Sequence, residues 1–158
     1  VYGGSNLPLR GDKATLFEGG IQVPCLMRWP AKIAPGSQND ALVSSLDLFP
    51  TFCKLAGTEV PGKLDGRDLG AALFEGEKWQ DRTLFWELGS HAELERKPWS
   101  AVRKGNWKYV QTPKDGEFLF DVANDPNEAK NLAQSNPERF RELREERDRL
   151  SQQMRGDG

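Results

Sequence analysis

The stretch 99–121, WSAVRKGNWKYVQTPKDGEFLFD, decides the fold of this chain. It contains three short segments rich in aromatic and β-branched residues, and two turn sequences separate them, KGN at 104–106 and PKDG at 113–116. Aromatic and β-branched residues favour strands, whereas Gly, Asn, Asp and Pro favour the turns between strands. The stretch therefore predicts a meander of three antiparallel strands, over residues 99–103, 107–111 and 117–121.

A further strand precedes this meander in the sequence. The segment TLFWEL at 83–88 has the same apolar character and is followed by Gly89. Together with the meander it predicts a four-stranded antiparallel sheet.

The C-terminal segment has the pattern of an amphipathic helix. Ser135 precedes Asn-Pro-Glu, which places a proline in the first turn and a glutamate three residues after the cap. One apolar stripe follows, formed by Phe140, Leu143, Leu150 and Met154. Because a sheet needs a cover, the predicted fold class is α+β, with the C-terminal helix packed across the four-stranded antiparallel sheet.

The N-terminal half has a different pattern. The apolar run 21–29 is typical of a strand buried on both faces inside a larger sheet. A helix is predicted over about 46–56, with Asp47 as its cap, Pro50 in its first turn and Gly57 at its end. A turn-rich segment with one short helical turn near 69–74 follows. We therefore predict two domains, residues 1–76 and 77–158.

Composition limits the possible partners and chemistry. The chain has 158 residues and a formal charge of -2, without the basic excess that nucleic-acid binding needs. No apolar run approaches the length of a membrane span, and the N-terminus lacks the pattern of a signal peptide. Cys25 and Cys53 have no metal-binding spacing, and buried free thiols are favoured over a disulfide.

The residues do not supply a complete active site. His91 is the only histidine and lies in a polar stretch that is typical of a surface loop. Two aspartate pairs could bind a cation, although turn formation explains them better: Asp65 with Asp68, and Asp121 with Asp125. We expect this chain alone to bind no metal.

Lys13 has a more distinctive setting, KATLFEGGIQVP at 13–24. A lysine in a glycine-flanked loop can hold its ammonium toward an anionic group as a compact charge. An ordinary exposed loop lysine fits the same pattern, so both interpretations stay open at this point. The preceding tripeptide Arg10-Gly11-Asp12 matches an adhesion motif that arises often by chance.

The segment NLPLRGDKATLFEGGIQVP at 6–24, followed by RWP at 28–30, resembles the second signature region of the arylsulfatases. These are the type I sulfatases of the alkaline phosphatase superfamily. Further phrases resemble the same family in the same order, namely LDLFPT at 46–51 with LAG at 55–57, LDG at 64–66, AVRKGNWKY at 101–109, LFDV at 119–122, DPNE at 125–128 and NLA at 131–133.

The resemblance implies a catalytic-site role for Lys13, as the contact to the substrate sulfate. It also implies that Glu18, Gly19 and Gly20 are scaffold: the glycines would supply unusual backbone angles, and Glu18 would tie the turn to its neighbours. Asp12 departs from the family, which commonly has glycine there. Its carboxylate could compete with sulfate for Lys13 or oppose the entry of an anion.

The cofactors implied by the resemblance are a formylglycine nucleophile and a calcium ion in the parent enzyme. Neither cysteine lies in a Cys/Ser-x-Pro-x-Arg motif, and the Asp-Asn pair that precedes the lysine region is absent. We therefore expect the nucleophile and the metal ligands upstream of Val1, and the chain alone to be inactive. Residues 1–76 would supply the last strand and helix of the large α/β sulfatase domain.

Two alternatives remain beside a sulfatase that takes a sulfate ester substrate. One is a phosphonate or phosphate ester hydrolase of the same superfamily, and the other is a non-catalytic binding module. The resemblance further implies a periplasmic, secreted or lysosomal location. If the strand over 21–29 lost its neighbours, the isolated chain should self-associate through it.

Overall fold

The computed structural model describes residues 4–75, 77, 81–89 and 99–156. The chain forms two compact units, one of Val1–Val23 with Arg82–Gly158 and one of Pro24–Asp81. The boundary at 81/82 lies five residues beyond the predicted 76/77 boundary. The boundary at 23/24 was not predicted, because it joins the N-terminal residues to the C-terminal unit.

The first unit contains the predicted four-stranded antiparallel sheet. Its strands are β1 (Thr83–Leu88), β2 (Trp99–Lys104), β3 (Trp107–Gln111) and β4 (Glu117–Asp121), in the order β1-β2-β3-β4. Gly105 and Gly116 have φ angles of +57° and +95° in the two connecting turns, a region that favours glycine. The predicted four strands and the meander of the last three are confirmed, and β1 lies beside β2.

One face of the sheet is covered by α4, which runs from Pro137 to Gly156. Leu143 is fully buried on this face, in a core with Val102, Tyr109 and Leu119. The predicted packing of the helix across the sheet is thus confirmed. The predicted apolar stripe of this helix is wrong at its last residue, Met154, which is 63% exposed. In the same last turn of α4, Arg155 lies 3.5 Å from Glu87 of β1, a strand at the edge of the sheet.

The opposite face of the sheet is covered by residues from the N-terminal segment. Leu16 and Phe17 pack on Ala101, Val110 and Phe120. They come just before the short helix α1, Glu18–Ile21. Because successive strand residues point to opposite faces, neighbours in one strand enter different cores. The sheet is buried on both sides, and the N-terminal segment supplies the second cover.

The second unit contains two short helices, α2 (Leu48–Leu55) and α3 (Gly70–Phe74). Pro50 lies in the first turn of α2, and Gly57, with φ of +69°, follows the helix end, as predicted. Asp47 does not cap α2 with its side chain. Instead, its carboxylate accepts the Ser44 and Arg67 amides at 2.7 and 2.8 Å, which closes the 3-10 turn Ser45–Asp47.

The predicted strand over 21–29 is wrong. Ile21 ends α1, and residues 22–29 form neither helix nor strand. Leu26 is 97% exposed. An apolar run becomes a strand only beside another strand, and no described residue pairs with it. Cys25 is exposed as well, which contradicts its prediction as a buried thiol. Cys53 is buried as predicted, and both cysteines are free thiols.

Replacing Leu143 by alanine should lower the free energy of unfolding by about 2–5 kcal/mol, because it opens a cavity under α4. The matched change Met154→Ala removes an exposed side chain of the same helix and should cost about 0.5 kcal/mol or less. Urea unfolding of the two variants measures the difference. Equal losses would contradict the described burial.

Self-association of the isolated chain stays a prediction, now based on exposed side chains instead of a strand. Leu26 and Phe52 are among the large apolar residues that the second unit exposes. Light scattering after size exclusion should detect association, and Leu26→Ser with Phe52→Ser should reduce it, since less apolar surface remains. A monomer at the highest concentration reached would refute this prediction.

Candidate functional site: the Lys13 loop and its buried anchor

Lys13 lies at the tip of a tight, exposed turn. The Thr15 amide and hydroxyl both donate to the Asp12 carbonyl, at 3.1 and 2.8 Å, and the Thr15 hydroxyl also accepts the Asp12 amide at 3.1 Å. Ala14 has a φ of +71°, which a non-glycine residue seldom adopts. The Lys13 side chain is exposed and makes no ion pair or hydrogen bond with the part of the chain that the structure describes.

The glycines that follow the turn are needed for close packing. A Cβ atom on Gly20 would lie 2.2 Å from the Thr15 carbonyl oxygen, and one on Gly19 would lie 2.5 Å from that of Gly11. Neither Gly19 nor Gly20 has a positive φ, so the predicted reason, unusual backbone angles, is wrong. The two glycines let α1 lie directly against the loop that carries Lys13.

Arg10 supports the base of the loop. Its guanidinium lies 3.9 Å from the centre of the Phe17 ring and donates to the Glu128 carbonyl at 3.0 Å. The Arg10 carbonyl in turn accepts the Gly19 amide at 2.7 Å. The arginine of the possible adhesion tripeptide is therefore held within the fold, and the Arg10-Gly11-Asp12 match has a structural explanation.

Glu18 ties the loop to the sheet, which confirms its predicted scaffold role. Its carboxylate lies 2.8 Å from the Lys108 ammonium on β3 and 3.2 Å from the Arg103 guanidinium on β2. Arg103 and Lys108 stand directly opposite each other across the two strands. Like charges in that arrangement repel, so the Glu18 carboxylate stabilises the pair by lying between them.

Glu128 completes this buried cluster. Its carboxylate lies 2.8 Å from the Lys108 ammonium and accepts the Glu18 amide at 2.6 Å. Neither Lys108 nor Glu128 is exposed to solvent. Burial raises the pKa of the Glu128 carboxyl above its usual value of 4.5, while Lys108 and the Glu18 amide oppose that rise.

The cluster is electrically balanced, which is what allows it to be buried. Two cations, Arg103 and Lys108, meet two carboxylates, Glu18 and Glu128. Removing one partner from such a group leaves an uncompensated charge away from water, which is strongly destabilising. The cluster therefore forms a single structural unit, to which the segment that follows Lys13 is attached.

The aspartates considered as cation ligands take part in local contacts instead. Asp68 pairs with Lys54 at 2.8 Å, while Asp125 accepts the amides of Ala129 and Lys130. His91 lies outside the described residues. Within the described ranges, no group of three or more His, Cys, Asp or Glu side chains could hold a metal ion, and no helix is long and apolar enough to cross a membrane.

Sequence reasoning did not find Lys108 and Glu128. One signal was available, because the alternation of β2 and β3 places Arg103 and Lys108 on the same face as the buried Ala101 and Val110. Charged residues at inward positions of a strand require buried partners of opposite charge. The identity of those partners could not be read from the sequence.

Comparison with known proteins agrees with the resemblance in sequence. The family described as "N-sulphoglucosamine sulphohydrolase, C-terminal" matches residues 11–155. Steryl-sulfatase of Mus musculus is 34% identical over 89% of this chain, and arylsulfatase A of Bos taurus is 36% identical over 85%. Crystal structures of Ps i-CgsB, alone and in complex with k-i-k-neocarrahexaose, match with a TM-score of 0.84 and 30% identity over 94% of this chain.

The chain belongs to the sulfatase family and corresponds to its C-terminal portion. It spans only 27% and 30% of the two curated relatives, and 33% of the Ps i-CgsB chain. The activity of the whole protein is therefore a matter for proposal.

Replacing Gly20 by alanine should lower the free energy of unfolding by about 1–3 kcal/mol, because the new methyl group overlaps the Thr15 carbonyl. In the matched variant Gly89→Ala, no atom of the described residues lies within 4 Å of the new methyl group, and stability should change by about 0.5 kcal/mol or less. Urea unfolding measures both. A Gly20→Ala variant as stable as Gly89→Ala would contradict the described loop.

Proposed function

We propose that this chain is part of an enzyme that hydrolyses sulfate esters, and that Lys13 contacts the substrate sulfate. The observation that carries the proposal is the setting of Lys13: an exposed lysine at the tip of a turn whose flanking backbone is fixed by buried contacts. Membership in the sulfatase family supplies the reaction class.

The chemical role proposed for Lys13 is electrostatic. Charge builds on the ester and sulfate oxygens as the ester bond breaks, and a pre-positioned ammonium lowers the energy of that state. Lys13 suits this role because no described residue neutralises its charge, including the adjacent Asp12, which forms no ion pair with it. A sulfate group would thus meet a cation that is free to bind it.

The formylglycine and the calcium ion expected from the family do not fit the residues of this chain. Neither cysteine lies in a Cys/Ser-x-Pro-x-Arg motif. The segment SNPER at 135–139 matches the spacing with a serine, but it forms the start of α4, where the Ser135 hydroxyl donates to the Leu132 carbonyl at 3.2 Å. The described residues hold no metal-binding cluster. When bound in a sulfatase, these groups supply the nucleophile and a Lewis acid. We propose that residues ahead of Val1 provide both, that the chain alone is inactive, and we assign its residues no step through either group.

The domain assignment is part of the same proposal. Residues 1–76 would supply the end of the large α/β domain, and the sheet with α4 would form the small C-terminal subdomain. Leu16 and Phe17 would join the two parts of the chain, because they also pack on that sheet. The exposed apolar residues of the second unit support this, since a neighbouring domain would bury them.

Replacing Lys13 by alanine in the full-length protein should lower kcat/KM for an aryl sulfate by about 10²–10³-fold, because one transition-state contact is lost. The matched change Lys114→Ala, at an exposed position in the β3–β4 turn, should leave kcat/KM within about twofold. Steady-state kinetics with aryl sulfate, phosphate and phosphonate esters measures both variants.

Three results would contradict the proposal in different ways. Equal activity of the two lysine variants would remove Lys13 from the site. Preferential turnover of the phosphate or phosphonate ester would favour the related hydrolase. Absence of any turnover by the full-length protein would favour a non-catalytic binding module.

A further inference from the structure

The two ends of the Lys13 loop are attached to the same residue. On one side, Arg10 donates to the Glu128 carbonyl at 3.0 Å. On the other side, the Glu18 amide donates to the Glu128 carboxylate at 2.6 Å. More than a hundred residues separate Glu128 from both in the sequence. A single distant residue therefore fixes the loop on both sides of Lys13.

Glu128 is itself firmly held. Its amide donates to the Asp125 carbonyl at 3.0 Å, and its carboxylate pairs with Lys108 at 2.8 Å. Its φ of +50° is unusual for a glutamate, and such a conformation persists only where the surroundings fix it. The turn after β4 and strand β3 thus hold the residue that holds the loop.

We propose that Glu128 is a positioning residue for Lys13, and that Lys108 and Arg10 act with it. The inference rests on the proposed function of Lys13 as the sulfate contact. Glu128 is buried and does not touch the substrate; it acts by fixing the backbone on either side of the Lys13 turn. The Lys13 side chain forms no ion pair or hydrogen bond with a described residue, so its location depends on that backbone.

This role differs from that of a general stabilising contact. A catalytic group displaced by about 1 Å can lose on the order of 10²-fold in rate, even when the protein stays folded. A contact that only stabilises the fold would change the unfolding midpoint and leave the rate of the folded enzyme unaffected. The two roles can therefore be separated by measurement.

The test uses Glu128→Gln in the full-length protein. Glutamine has the same size, but it cannot offer an oxygen to both the Lys108 ammonium and the Glu18 amide, so one contact is lost. We expect kcat/KM for an aryl sulfate to fall about 10–100-fold. Glu142→Gln is the matched control, because Glu142 forms an exposed ion pair with Lys104 and should leave kcat/KM within about twofold.

A double-mutant cycle with Lys13→Ala identifies the route of the effect. If Glu128 acts through Lys13, adding Glu128→Gln to Lys13→Ala should cause no further loss beyond about twofold. If the two losses multiply instead, Glu128 acts independently of Lys13 and the proposal is overturned. Unchanged kcat/KM in Glu128→Gln, with Lys13→Ala inactive, overturns it as well.

Hydrogen exchange of peptides covering residues 10–22 gives a readout that does not depend on activity. We expect exchange about tenfold faster in Glu128→Gln than in Glu142→Gln. If Lys13→Ala retains full activity, the proposed function fails, and exchange alone then decides whether Glu128 holds the loop. Should Glu128→Gln fail to fold, Arg10→Gln removes the other attachment and is judged by the same cycle and exchange.

Discussion

The structure of the first unit depends on one buried lysine that is held between two carboxylates. Lys108 lies in the middle of the sheet without solvent contact, 2.8 Å from both Glu18 and Glu128. A charge in that position is tolerated only when opposite charges are close and geometrically fixed. The requirement brings together the N-terminal segment, strand β3 and the turn after β4, which are far apart in the sequence.

The same requirement explains why the N-terminal residues group with the sheet. Leu16 and Phe17 supply the apolar contacts on the face opposite α4, while Glu18 supplies the charge. Apolar burial gives the segment its affinity for the sheet, whereas the ion cluster fixes its register. The turn that carries Lys13 lies just ahead of this attachment, so packing and electrostatics together set where Lys13 is presented.

Local chemistry made much of this fold predictable. The turns at 104–106 and 113–116 predicted β2, β3 and β4 to within one residue, and the Asn-Pro-Glu sequence predicted where α4 begins. The predicted cap was wrong, because the Ser135 hydroxyl donates to the Leu132 carbonyl and the Asn136 carbonyl accepts the Phe140 amide. The cover of the second sheet face was missed because it depends on contacts between distant segments. Lys13 could be identified only as a candidate, since its neighbours permit two interpretations. The strand prediction for 21–29 was wrong because an apolar composition is compatible with a strand and equally with a segment that pairs with no described strand.

The most direct test of the account is a crystal structure of the full-length protein with sulfate bound. The account predicts the Lys13 ammonium within about 2.7–3.2 Å of a sulfate oxygen. It also predicts that Glu18 and Arg10 keep their contacts with Glu128, as seen here. A sulfate bound elsewhere, with Lys13 directed into solvent, would contradict the central claim that the buried cluster presents Lys13 to the substrate.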